Sequence, residues 1–230
     1  MKTHELKQMA REAGADLVGV APAARWADWP AAQNPRTLLP TCRSVIVIGR
    51  RVLRGSFRGV EEGTSFSSTY NMFGLHWNEH EFLSRTVHQV ACAIEATGRE
   101  AVPLFGGAMP NAPMQLDSKA LAHAAGLGSV GKGGFFLTRE YGHRQRFALI
   151  LTDLELEGDP VVDLDFCKGC DACLKACPLQ ALADKGGAVY AIDTQLCQQC
   201  ANGRTSSYAY AYERIDRLAA SCGRACLVAL

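Results

Sequence analysis

"CKGCDACLKACP", residues 167–178, decides how the end of this chain folds. Its spacing is C-x-x-C-x-x-C-x-x-x-C-P. A tight loop of this kind lets three thiolates converge on three irons of one cubane, while the fourth, Cys177, turns toward a different cluster. Proline after Cys177 suits the first turn of a helix, where no N–H is needed. A helix leading away from Pro178 is therefore expected. Zinc ribbons would use paired C-x-x-C units without the three-cysteine loop. The run points to a [4Fe–4S] cluster.

One such run leaves Cys167, Cys170 and Cys173 short of a fourth ligand and Cys177 short of three. Cys197, Cys200, Cys222 and Cys226 supply four more thiolates, so that eight of the ten cysteines fall in the last 64 residues. In two-cluster bacterial ferredoxins the last cysteine of each run crosses to the other cluster. That logic assigns Cys167, Cys170, Cys173 and Cys226 to one [4Fe–4S] cluster, and Cys177, Cys197, Cys200 and Cys222 to a second. Two features depart from the ferredoxin pattern: 21 residues separate Cys200 from Cys222, and Leu227 stands where a proline is expected. The insert holds Tyr208, Tyr210 and Tyr212, which either shield a cluster, or line a ligand surface, or open a packed helix with Ile215 and Leu218 inward. Cys42 and Cys92 lie in apolar stretches and are expected to be buried thiols.

The chain before this module has a different character. "DLVGVAP" (16–22), "SVIVIGR" (44–50), "EAVPLF" (100–105) and "RFALILTDLEL" (146–156) read as strands. Residues 3–13 and "NEHEFLSRTVHQVACAIEATG" (78–98) read as helices, the latter on Phe82, Leu83, Val87, Val90, Ala91 and Ile94 at helical spacing. Helices interleaved with strands imply helices packed on a sheet. The composition shifts across "ELEGDPVVDLDF" (155–166), which gives two domains, 1–160 and 161–230. A small second module of this kind would depend on its metal centres for stability.

The net charge of +1 argues against a polyanion as the dominant partner. The charged N-terminus lacks the apolar core of a signal peptide, and no run approaches the roughly 18 apolar residues of a membrane span. A cytoplasmic protein without membrane contact is expected, which favours metal ligation over disulfides for the cysteines.

Two stretches imitate known motifs. "AGLGSVGKGG" (125–134) contains both G-x-G-x-x-G and most of a P-loop, but a helical pattern precedes it and a strand follows, the reverse of what a phosphate site needs. Gly133 also stands where a P-loop has Ser or Thr. The glycines then serve either helix capping and tight turns or the close approach of backbone to a flat ligand. "HWNEH" (76–80) matches H-x-x-E-H but has no third ligand in view, and is taken as a helix start.

"AGLGSVGKGGFFLTREYGHRQRFALILTDLELEGD" (125–159), followed by the cysteine run, resembles the epoxyqueuosine reductase and reductive dehalogenase superfamily. "LKQMAREAGADLVGVAP" (6–22) and "TLLPTCRSVIVIGR" (37–50) resemble its opening. The resemblance implies an α+β protein, with a nitroreductase-like α/β domain followed by a ferredoxin-like two-cluster iron–sulfur module. It implies cobalamin, with Gly126, Gly128, Gly131 and Lys132 as corrinoid contacts, reached by electrons from an external low-potential donor of ferredoxin or flavodoxin type. Where the epoxyqueuosine reductases have an Asp-Thr-Ala-Pro stretch that supplies a proton, this chain has "PNAP" (110–113), with Asn111 near the Asp position. Asp117, Tyr70 and His143 are the substitute proton donors. The helical-repeat region that holds tRNA in those enzymes has no counterpart after Cys226, which makes tRNA a doubtful partner. The expected activity is an oxygen-sensitive reduction of a small-molecule or nucleoside substrate. The alternatives are an electron-transfer protein without catalysis of its own and a relative that holds flavin.

Overall fold

The computed structural model describes residues 1–105, 114–206 and 213–230, the side chains of 204–206 and 213–214 excepted. The chain divides into two compact units. One comprises Met1–Arg51, Glu79–Gly128 and Gln145–Asp163; the other Val52–Asn78, Ser129–Arg144 and Leu164–Leu230. The last passage between them falls after Asp163, and the second unit also takes Val52–Asn78 and Ser129–Arg144 from within the stretch 1–160 read as one domain. The glycine stretch spans an earlier passage, after Gly128.

The first unit is built on a four-stranded antiparallel sheet. Its strands are β1 (Leu17–Pro22), β2 (Ser44–Arg51), β3 (Ala101–Phe105) and β4 (Gln145–Thr152), in the order β1-β2-β4-β3. Register is fixed through Val47, which pairs with Gly19 on one side and Leu149 on the other, while Leu149 also faces Leu104. β2 carries the β-branched run Val45–Ile48, fully buried, as a central strand covered on both faces should be. Over one face lie α1 (Thr3–Glu12) and α2 (Ser84–Glu95), whose Leu6, Ala10, Val87, Val90 and Ile94 pack with Val18, Val20, Ile46, Ile48 and Ile150. The other face takes the turn after α3 (Ser118–Ala124), where a Cβ on Gly19 would stand 2.5 Å from the Ala125 carbonyl oxygen.

Several expectations shift here. β4 ends at Thr152 although apolar alternation runs on to Leu156. Side chains pull the chain off the ladder, because Leu154 N–H donates to Thr152 Oγ1 and Leu156 N–H to Ser44 Oγ. Leu154 and Leu156 enter the core from a loop instead. The helix expected over 78–98 is α-helical only from Ser84; Ser67–His76 and Asn78–Leu83 wind with the wider π pitch. The pitch moves the apolar phase, so Leu83 is buried and Phe82 is exposed. Cys92 is also exposed, because the buried side of α2 is set by Val87, Val90, Ala91 and Ile94. Cys42 is buried.

The second unit has short elements only. Helices α4 (Ala172–Lys175), α5 (Thr194–Gln198) and α6 (Ser221–Ala229) alternate with the two-stranded pairs Leu182–Ala183 with Ala191–Ile192 and Arg204–Ser206 with Glu213–Ile215. A third pair, Ser129–Val130 with Phe136–Leu137, brackets the second half of the glycine stretch. No helix starts at Pro178: the helix precedes Cys177, and Pro178 heads a turn that takes Gln180 to a φ of 50°. The insert after Cys200 forms strand rather than helix at Arg204–Ser206 and Glu213–Ile215; Tyr208, Tyr210 and Tyr212 lie outside the described residues. Among the described residues no helix is long and apolar enough to cross a membrane.

Candidate metal centre

Within the second unit the cysteines gather around two cavities. Cys167 and Cys170 sit on a turn closed by Cys170 N–H donating to the Cys167 carbonyl, with Gly169 at a φ of 70° that a side chain would resist. Cys173 follows in α4 and Cys226 comes from α6. These four line one cavity together with Gly131, Lys132, Gly133 and Phe135. Cys177, Cys197, Cys200 and Cys222 line a second, with Pro178, Gly203 and Arg217. The crossover is local in origin. Cys173 and Cys177, like Cys222 and Cys226, are four residues apart, yet the members of each pair serve different cavities.

The glycine stretch is part of the first cavity. Gly131 N–H donates to the Phe135 carbonyl and Gly134 N–H to that of Gly131, a tight hairpin tip. A Cβ on Gly131 would stand 2.8 Å from Cys167 Sγ, and one on Gly133 2.9 Å from Cys173 Sγ. Lys132 contributes its backbone, whose N–H donates to Cys167 Sγ at 3.3 Å. In the second cavity Ala181 N–H donates to Cys177 Sγ, also at 3.3 Å. Such donors stabilise a thiolate and, in a cluster, tune its potential. The other half of the stretch has different work: Gly126, at a φ of 75°, would put a Cβ 2.4 Å from the Pro160 carbonyl oxygen, and the Gly128 carbonyl accepts from His123 Nδ1.

Burial pushes the Cys226 thiol up to about 12, helped by the nearby Cys173, Cys167 and Cys170. Cys173 is raised by burial and then by Cys222, Cys167 and Cys170. Cys197 and Cys222 are raised chiefly by burial, against which the Arg217 guanidinium pulls. Each cavity thus holds two thiols that burial keeps from ionising, a match for a cationic iron–sulfur core, whose binding releases thiol protons. The donor set and the glycine cradle fit such a group. Among the described residues no three or more His, Cys, Asp or Glu side chains converge as ligands of a single ion would. A cubane makes a different demand, because its thiolates bind separate irons.

Residues 160–183 match the 4Fe-4S binding domain family. Over 172 residues the chain is 30% identical to the epoxyqueuosine reductase of Synechocystis sp., covering 75% of this chain and 55% of that protein. It is 33% identical to that of Gloeobacter violaceus over 72% of this chain and 49% of the relative. A tetrachloroethene reductive dehalogenase of Desulfitobacterium hafniense is 28% identical over 61% of this chain and 24% of its own length. This chain is similar in sequence to members of both enzyme groups. It spans about half the length of the epoxyqueuosine reductases it matches.

Solved structures agree on the fold. The Streptococcus thermophilus epoxyqueuosine reductase superposes with a TM-score of 0.62 at 22% identity, over 86% of this chain and 56% of that one. A reductive dehalogenase, described with a mechanism for B12-dependent dehalogenation, gives 0.65 at 19% identity, over 94% and 31%. An epoxyqueuosine reductase bound to an epoxyqueuosine-modified tRNA-Tyr stem loop gives 0.55 at 20% identity, over 77% and 52%. The expectation that tRNA is a doubtful partner finds no support in these relatives.

The three residues proposed as proton donors occupy structural positions. Asp117 is the exposed N-cap of α3, accepting from Lys119 and Ala120 N–H. Tyr70 is fully buried between Phe57 and Phe66, and its hydroxyl lies 3.1 Å from both Asp216 carboxylate oxygens. His143 is buried, stacks on Phe135 at 4.7 Å, and donates from Nε2 to the Gly223 carbonyl. Asn111 falls outside the described residues. Replacing Asp117 with alanine is expected to cost about 1 kcal/mol by chemical denaturation, as loss of an N-cap does, and to leave any bound cluster's spectrum unchanged. Sequence reasoning missed Gly133, Phe135 and Arg217. Gly133 had a signal, since five glycines in the nine residues 126–134 invite close approach of the backbone to a neighbour, whereas a lone arginine has none.

Proposed function

We propose that this chain is the iron–sulfur part of a reductase, carrying electrons through two [4Fe–4S] clusters. The observation that carries this reading is the pair of four-cysteine cavities in one compact unit. When bound, the clusters supply one-electron transfer at potentials set by charge, hydrogen bonds to sulfur and exposure. Cys167, Cys170, Cys173 and Cys226 would hold one, and Cys177, Cys197, Cys200 and Cys222 the other. The Lys132 amide would donate to a thiolate of the first set and the Ala181 amide to one of the second, and the Gly131–Gly133 tip packs against Cys167 and Cys173. Electrons would come from an external low-potential donor of ferredoxin or flavodoxin type.

The destination of the electrons is proposed by analogy. The relatives include enzymes of B12-dependent dehalogenation and epoxyqueuosine reduction, which suggests a corrinoid in a nitroreductase-like first domain and a small organic, nucleoside or tRNA-borne substrate. Gly126, Gly131 and Gly133 already pack against the protein's own atoms. A second reading is an electron-transfer protein without catalysis of its own, favoured by the structural roles of Asp117, Tyr70 and His143. Titrating the anaerobically purified, iron-loaded protein with cobalamin separates the two. A base-off spectrum is the expected result. Full iron content with neither corrinoid nor flavin binding would establish the second reading instead.

A further inference from the structure

We propose that Arg217 is a positioning and tuning residue: a buried fixed cation between the two cysteine cavities that raises the potential of the cluster held by Cys177, Cys197, Cys200 and Cys222. The inference rests on the reading that both cavities hold clusters. Arg217 is 9% exposed and lines the second cavity. Its Nη2 donates to the Gly133 carbonyl at 2.7 Å, and its guanidinium lies 4.7 Å from the centroid of the Phe135 ring. Gly133 and Phe135 are walls of the first cavity. One side chain is thus clamped by the cradle of one thiol set and laid against the other.

The remaining nitrogen, Nη1, is buried and has no hydrogen-bond partner among the described residues. A buried guanidinium left without an anion is costly, since desolvating a charge must be repaid by pairing. The cavity that Arg217 lines supplies the anion: a cluster ligated by four thiolates carries net negative charge. Taking up one electron from an external low-potential one-electron donor adds a further negative charge and breaks no bond. A fixed cation therefore favours the reduced form more than the oxidised one, and raises the potential of that couple. Phe135 keeps the charge from swinging away, with cation–π attraction on the face that the carbonyl does not hold.

The test is a potentiometric titration followed by electron paramagnetic resonance, on the full chain purified anaerobically, with dithionite as reductant. Iron analysis of the unaltered protein comes first; fewer than about eight irons per chain would refute the two-cluster reading, independently of what Arg217 does. With full iron, Arg217→Gln is expected to lower the reduction equilibrium of one couple roughly tenfold, about 59 mV for a one-electron couple, and the other less than threefold. The couple that moves is the one retained in a Cys226→Ala background. Arg217→Lys, which keeps the charge, is expected to stay within threefold of the unaltered protein. Equal shifts in the Gln and Lys variants, or no shift in either, would overturn the proposal. Should the Gln variant load poorly, the Lys variant decides: full iron with a small shift upholds a charge role, and loss of iron there too would show that the guanidinium only holds structure.

Discussion

Replacing Cys226 with alanine is expected to remove about half of the iron, leaving about four atoms per chain. The residue lies far from the 167–178 run in sequence, yet it lines the cavity of Cys167, Cys170 and Cys173. Cys222, one helical turn earlier on α6, faces the other four-cysteine set. Cys222→Ala should therefore also leave about four irons, but with the complementary resonance signal retained. The two spectra should add to that of the unaltered protein. The double variant should lose nearly all iron and the fold of the cysteine-bearing segments with it. The apolar cluster around the cysteines contains cysteines among its own members, so the cysteine-bearing segments have little burial of their own to fall back on when the metal is gone, whereas the cluster of Val52, Phe57, Val60 and Tyr70 holds none. Circular dichroism with and without an iron chelator would check this.

The second large effect is expected at Gly131. A methyl group there would meet Cys167 Sγ and Leu137 Cδ1, both at 2.8 Å, closer than a side-chain carbon tolerates. Gly131→Ala must push the thiol or the hairpin tip aside. Overpacking of this kind costs roughly 1–3 kcal/mol, and here the strained atom is a proposed ligand. The variant should bind about four irons rather than about eight, keeping the signal of the Cys177, Cys197, Cys200 and Cys222 set. Gly55→Ala, where nothing lies within 4 Å of the new carbon, should load fully. Full loading of the Gly131 variant would show that the hairpin tip does not hold Cys167 in place.

Which cysteines share a pocket was legible because ligand spacing is a short-range device: two residues between thiols make a loop, and four residues along a helix carry a thiol one turn further along the axis on the same face. The sheet was legible for a similar reason, since the run Val45–Ile48 can only be a buried strand. What the sequence did not disclose depends on contacts between distant segments. Leu154 and Leu156 alternate like strand residues, but Ser44 and Thr152 side chains take the backbone bonds that a ladder would need. The phase of residues 78–83 follows from a π winding that no residue type announces. The division of the chain puts Gly126 and Gly128 in one unit and Gly131 and Lys132 in the other. The single glycine-rich stretch thus serves two structures, a helix exit and a hairpin tip beside Cys167 and Cys173. Arg217 illustrates the limit most clearly, because its neighbours Gly133 and Phe135 are more than eighty residues away in sequence.

The central claim is that the second unit holds two four-iron clusters in the two cysteine sets. Combined iron and acid-labile sulfide analysis of the anaerobically purified chain tests it most directly. About eight of each per chain are expected, with Cys226→Ala and Cys222→Ala each retaining about four. Four of each in the unaltered protein, or zinc in place of iron, would contradict it.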